Sequence, residues 1–347
     1  MILTILATIF VLGVLVFFHE LGHFLVAKKA GIRVEKFSLG FPPKLISRKW
    51  GDTEYAIGAI PLGGYVKMAG EQPGEEASGA PWEFMSKPVW KRALVIFAGP
   101  LMNFLLAVLV LTGLYLVRGK EVDRVYIGSV GAGSPAEKAG IQSGDLILSV
   151  EGIEVKTFQD MAGEIYKRVE QPVVITLERE GIVRTDTIVT YKDFAVTSEG
   201  DSLAVGKIGV GNKPVFERLG IISAIGAGVN QSIFYVEKVI EFVGGLITRQ
   251  VTPSEIGGPI LIGQIAGATA RAGFDILLEF LALLSVNLAV LNILPIPLLD
   301  GGHLIFLLAE KVKGSPISLK TRLVIQQVGI AFLLLLVIFV TFNDITR

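Results

Sequence analysis

The sequence predicts an α-helical polytopic membrane protein with four transmembrane helices, a membrane-associated β-hairpin and one inserted α+β domain. Three observations carry that expectation. Hydrophobic residues make up 51% of the 347 and charged residues only 18%, with a mean hydropathy of +0.61, too apolar for an ordinary soluble domain. Apolar runs near residues 1–27, 93–117, 276–294 and 323–342 each approach the roughly 20 residues that cross a hydrocarbon core. Between the second and third runs the composition becomes that of a small water-soluble domain. A formal net charge of zero gives no basis for nucleic-acid binding. The absence of cysteine rules out disulfides and thiolate metal sites.

The first run carries no charge from Met1 to Phe18, and Lys28, Lys29, Arg33 and Lys36 follow it. No basic residue precedes the run, so a signal peptide is not indicated. The positive-inside rule keeps the basic cluster cytoplasmic and puts the amino terminus outside. Residues 28–92 hold 11 Lys and Arg against 7 Asp and Glu, which suits the cytoplasmic side. Within them, Tyr55 to Met68 reads as two short strands about a Gly63-Gly64 turn, a hairpin dipping toward the membrane site or lying on its surface. The second run, broken at Gly99-Pro100 and carrying Asn103, returns the chain to the exterior.

From Glu121 to Asp193 the pattern alternates short strands with a Ser134-Pro135-Ala136 helix start, an Ala139-Gly140 stop and a Gly144-Asp145-Leu146-Ile147 strand entry. These motifs, in this order, resemble a PDZ domain, which adds an extended peptide or a carboxyl terminus to a sheet edge. A domain that only blocks access to the membrane site fits the pattern equally. Residues 194–275 read as amphipathic linker helices at the outer membrane surface, because Glu237, Lys238 and Glu241 argue against a span. Residues 121–275 contain 14 basic and 20 acidic residues, consistent with the non-cytoplasmic side. Residues 1–118 thus form the first two spans and the hairpin, and 276–347 the last two, with the carboxyl terminus outside.

The chemistry concentrates at His19-Glu20-Leu21-Gly22-His23. Two imidazoles four residues apart share one helix face and can bind one zinc ion, with Glu20 beside them as acid/base. Two of the three histidines in the chain are used there. The alternative is a polar pair facing another helix, but ionisable groups at membrane depth are costly and mark function. A catalytic zinc takes three protein ligands and a water. The third run breaks at Pro295 and Pro297, bringing Asp300 to the depth of the first motif. Asp300 is either the third ligand or the cap of a helix restarting at Gly301-Gly302; His303 is the rival ligand, or it turns outward.

Together, His19-Glu20-Leu21-Gly22-His23, the run from Asn292 through Pro295, Pro297 and Asp300 to Gly302, and the PDZ-like insert resemble the site-2 protease family of intramembrane zinc metalloproteases, in its bacterial RseP-type branch. The resemblance covers nearly the whole chain. It implies one Zn2+ ion on His19, His23 and Asp300, with Glu20 catalytic. It also implies that Asn292 and the Pro295/Pro297 turn hold substrate, and that the hairpin, through Gly63, Gly64 and Tyr65, offers a strand edge to an unwinding helix. The expected substrates are transmembrane segments of single-span proteins, such as anti-sigma factors or signal-peptide remnants, in the bacterial inner membrane. One feature departs from the enterobacterial members, which carry two tandem PDZ domains where this chain has room for one. The competing reading is a membrane scaffold with a structural zinc and a peptide-binding module. A transporter is disfavoured because no inverted repeat is visible.

Overall fold

A computed structural model describes residues 1–71, 78–196, 202–252, 256–315 and 317–346. The chain divides into two compact units, one of residues 1–116 with 220–347 and one of residues 117–219.

The first unit begins with α1 (Ile2–Lys29). Its last turn carries Lys28 and Lys29, cations that suit a helix carboxyl end, and it stops at Gly31 with φ 72. Two long strands follow, β1 (Val34–Trp50) and β2 (Thr53–Met68), joined through Gly51 at φ 60. The expected turn at Gly63-Gly64 is therefore corrected: both glycines lie inside β2, and the hairpin turns at residues 51–52. The strands bend, so residues 36–39 pair on one side with 64–67 and on the other with 54–57. Among the described residues the Gly64–Met68 segment has a strand partner on one side only; on the other, the Met68 amide donates to Glu71 at 3.3 Å. α2 (Val89–Arg118) runs unbroken through Pro100, correcting the expected interruption. A proline removes one backbone donor, and the helix tolerates that loss here.

The second unit holds β3 (Lys120–Glu121), β4 (Val125–Val130), α3 (Pro135–Lys138), β5 (Leu146–Val150), β6 (Ile153–Glu154), α4 (Phe158–Tyr166), β7 (Pro172–Arg179), β8 (Ile182–Val189), β9 (Tyr191–Val196), β10 (Ser202–Lys207), β11 (Val210–Asn212) and β12 (Phe216–Glu217). Its main sheet runs β11-β4-β5-β7-β8, around a core that includes Val125, Ile127, Ile147, Met161, Ile165, Ile175 and Leu177. Ser134 caps α3, its hydroxyl accepting from the Glu137 amide at 3.2 Å, and Thr157 with Asp160 forms a capping box on α4. The unit extends past the expected boundary at residue 193, because β11 pairs with β4 and β12 with β3.

The first unit resumes with α5 (Ile221–Thr248), α6 (Pro259–Ala272), α7 (Phe274–Ile293), α8 (Asp300–Lys313) and α9 (Leu319–Thr346). Residues 253–255 of the expected linker lie outside the described residues. α6 is no loose linker: Ala266 is fully buried in a core with Ala7, Val11, Leu15, Leu106 and Leu281. At its start the Asp344 carboxylate accepts from the amides of Gly258, Ile260 and Leu261 at 2.9, 3.1 and 3.1 Å. Among the described residues four helices, Ile2–Lys29, Val89–Arg118, Phe274–Ile293 and Lys320–Thr346, are long and apolar enough to cross a membrane.

Candidate metal centre

α1 places His19 and His23 one turn apart on a face pressed against α2. The approach is close because both helices are small there: a Cβ at Gly22 would meet the Ala98 carbonyl, and one at Gly99 would lie within 2.8 Å of atoms of both imidazoles. His23 is buried, 8% exposed, and its Nδ1 lies 2.8 Å from the Val95 carbonyl. That carbonyl can only accept, so the proton sits on Nδ1 and the Nε2 lone pair faces away from it.

α8 brings the carboxylate. After Asn292 the chain turns through Pro295 and Pro297, and the first turn of α8 nests on that bend because Gly301 and Gly302 lack side chains. A Cβ on either would strike the carbonyls of Ile293, Leu294 or Ile296. Asp300 is the first residue of α8, and the capping position is Leu299, without a side-chain bond. The Asp300 carboxylate is instead turned to the imidazoles. α8 is held to α2 by a buried pair: Arg92, 4% exposed, donates to both oxygens of Glu310 at 3.1 and 2.5 Å.

Three atoms converge. His19 Nε2 lies 3.2 Å from His23 Nε2, and Asp300 Oδ2 lies 3.2 Å and 3.5 Å from them. Ligands about 2.0–2.1 Å from one tetrahedral ion are separated from one another by about 3.3–3.4 Å, so this triangle fits zinc. Asp300 Oδ2 is also buried without a hydrogen-bond donor, an orphan that a cation satisfies. Among the described residues His19, His23 and Asp300 are the one group of three side chains able to hold a metal ion. Three ligands leave a fourth position open, as a catalytic site requires.

That position opens on a cavity of about 280 Å3, whose lining includes Glu20, Tyr65, Asn292, His303 and Arg322. Of the other residues singled out from sequence, Tyr65 and Asn292 line it, and Gly64 touches it indirectly, since a Cβ there would come within 3.3 Å of Glu20 Cγ. Gly63, Pro295 and Pro297 do not line it. Gly63 packs on the Phe41 ring, and Pro297 packs against Gly329 of α9. His303 is neither a member of the triangle nor turned outward; it faces the cavity. Sequence reasoning read Gly99 as a break in the second span and Arg322 as the mark of a cytoplasmic loop, and gave no role to the Val95 carbonyl. Gly99 and Val95 act through space and backbone, which side-chain chemistry does not advertise; a charge bordering the apolar run was the available sign for Arg322.

The helices and this site define a zinc-dependent hydrolase set among apolar helices. The chain belongs to Peptidase family M50, the site-2 protease family of intramembrane zinc metalloproteases, which matches it over residues 7–336. It is a zinc metalloendopeptidase whose cofactor is Zn2+. Members of the family are membrane proteins. A chain of Rhizobium meliloti is 36% identical over 361 residues, covering 99% of this chain and 96% of that one. The zinc metalloprotease RasP of Shouchella clausii is 34% identical, with 99% of each chain covered. The regulator of sigma-W protease RasP of Bacillus subtilis is 30% identical, covering 99% of this chain and 98% of its own. Among solved structures, the PDZ domain of an SdrC-like protein of Listeria monocytogenes is similar at 25% identity and a TM-score of 0.21, covering 26% of this chain.

Proposed function

We propose that this protease cuts peptide bonds inside the transmembrane segments of single-span membrane proteins, with zinc held by His19, His23 and Asp300. The observation that carries the reading is the triangle of two imidazole nitrogens and one carboxylate oxygen with edges of 3.2, 3.2 and 3.5 Å. A zinc ion held there would supply Lewis-acid chemistry, lowering the pKa of a water to about 7 and polarising a carbonyl. Glu20 takes the proton that the attacking water gives up and returns it to the leaving nitrogen. Asn292, whose Nδ2 is 3.5 Å from His19 Nε2, is placed to donate to the substrate backbone.

A transmembrane helix hides its amides in its own hydrogen bonds and must unwind before cleavage. The one-sided Gly64–Met68 segment supplies backbone partners for the released strand, by addition to a sheet edge. Four spans, with Lys28, Lys29, Arg33, Lys36, Lys311 and Lys313 on the cytoplasmic side, set the zinc near that side of the bacterial inner membrane. Both termini and the inserted unit are then outside. We read the inserted unit as PDZ-like. Its groove of about 220 Å3, lined by Phe158, Met161 and Ile165 of α4 and by Lys207 to Val210, suits a peptide or a carboxyl terminus. The name of the Bacillus subtilis relative, regulator of sigma-W protease, supports membrane-anchored anti-sigma factors as a substrate class.

The deciding experiment replaces Glu20 by Gln. Zinc content stays at one ion per chain while cleavage of a tagged single-span substrate in liposomes stops, and uncut substrate accumulates in the membrane. Continued cleavage at the wild-type rate contradicts the role of Glu20.

A further inference from the structure

We infer that Asn103 is a positioning residue of the metal centre: its side-chain oxygen accepts the Nδ1 proton of His19 and holds that imidazole with Nε2 free to ligate. The inference rests on the proposed ligand set and extends it to α2. Val95, Gly99 and Asn103 recur every four residues along α2 and so share one helix face. On that face the Val95 carbonyl takes the Nδ1 proton of His23 at 2.8 Å, and Gly99 makes room for both rings. Asn103 comes next, its amide 3.4 Å from His19 Nδ1. It is fully buried, and its backbone carbonyl is fixed by the Ser285 hydroxyl of α7 at 2.7 Å.

The amide orientation follows from the chemistry. With Nδ2 facing His19, Oδ1 is buried without a donor. Oxygen and nitrogen of an amide are interchanged by a half-turn of the terminal torsion, and the partner decides between them. An imidazole that turns its Nε2 lone pair to a metal carries its proton on Nδ1, so it must donate there. A facing NH2 group would leave two donors opposed, whereas the half-turned amide satisfies both His19 Nδ1 and Oδ1. Each zinc-binding imidazole thereby receives its acceptor from α2, one from backbone and one from side chain.

The test is zinc affinity of the full-length protein in detergent, measured by competition with a chromophoric chelator. Asn103→Leu removes the acceptor, and its zinc Kd rises about 10- to 100-fold, the usual effect of losing such a partner. Asn103→Asp keeps an acceptor oxygen in the same place, and its affinity stays within about threefold of wild type. The melting temperatures of the two zinc-free variants are compared alongside, and the affinity gap persists when they match. Wild-type affinity in Asn103→Leu overturns the inference, as does an equal loss in both variants or a loss that follows zinc-free stability. His19→Ala separates the two levels of the argument. If it still binds zinc at full strength, the ligand set itself fails; if it loses zinc while Asn103→Leu does not, only the role of Asn103 fails.

Discussion

At Gly99 a single methyl group decides whether two imidazoles can share an ion. A Cβ there would sit 2.3 Å from His23 Nε2, inside van der Waals contact with an atom that must face the zinc. Gly99→Ala is expected to weaken zinc binding at least about tenfold while helix content is unchanged; chelator competition and circular dichroism measure both. In the inserted unit the decisive pair is Asp145 and Arg179. Asp145 is 1% exposed and accepts from Arg179 Nε and Nη2 at 2.6 and 2.7 Å. Burial pushes its carboxyl up, but the guanidinium and the Gln142 amide outweigh burial and hold it below the usual carboxylate range. A depressed native pKa contributes stability that is present above the unfolded value of about 3.9 and is lost as pH falls toward the native one. Hydrogen-exchange protection factors in residues 117–219 of the intact chain, corrected for the intrinsic rate at each pH, should therefore fall below about pH 4. At neutral pH, Asp145→Asn should cost about 2–3 kcal/mol in the same region. His19, Glu20 and His23 were legible because their chemistry is in their side chains and their spacing matches a helix. Gly99 was not, because its contribution is the absence of an atom, visible only once α1 is packed against it.

In the proposed mechanism, elements rather than residues carry the path of the substrate. The Gly64–Met68 segment reaches Glu20 only because residue 64 has no side chain: a Cβ would meet Val16 Cγ1 at 2.9 Å and Glu20 Cγ at 3.3 Å. Gly64→Val is expected to lift the strand and reduce cleavage of a membrane substrate by about tenfold or more at unchanged zinc content, separating strand position from metal binding. α8 delivers Asp300, and its orientation depends on Arg92 and Glu310. Glu310→Ala strands a buried guanidinium and should cost about 3–5 kcal/mol, read as a lower melting temperature together with weaker zinc binding. The sequence misplaced two features at this scale. Gly63-Gly64 reads locally as a turn, but both lie inside β2, where Gly64 pairs with Leu39, and the reversal falls at Gly51, where φ is 60. Gly99-Pro100 reads as a break, but one missing donor does not stop a 30-residue helix whose small residues pack against α1.

On the scale of the whole molecule, four apolar helices and a more polar insert were readable from composition alone, because hydropathy sums over many residues and tolerates local error. The edge of the insert was not: residues 194–219 look like linker until β11 and β12 pair back to the first strands of the unit. The proposed orientation is testable because the chain has no cysteine. A cysteine introduced at exposed Ile153 should label with an impermeant thiol reagent on intact cells, whereas one at exposed Trp50 should label only after the cells are opened. The reverse pattern would invert the topology. The central claim is that residues nearly 300 positions apart in sequence hold one zinc, and zinc-edge X-ray absorption of the purified protein tests it most directly. The account predicts two imidazole nitrogens and oxygen ligands at about 2.0–2.1 Å, with one oxygen lost and affinity sharply reduced in Asp300→Ala. An unchanged zinc spectrum and full zinc content in Asp300→Ala would contradict it.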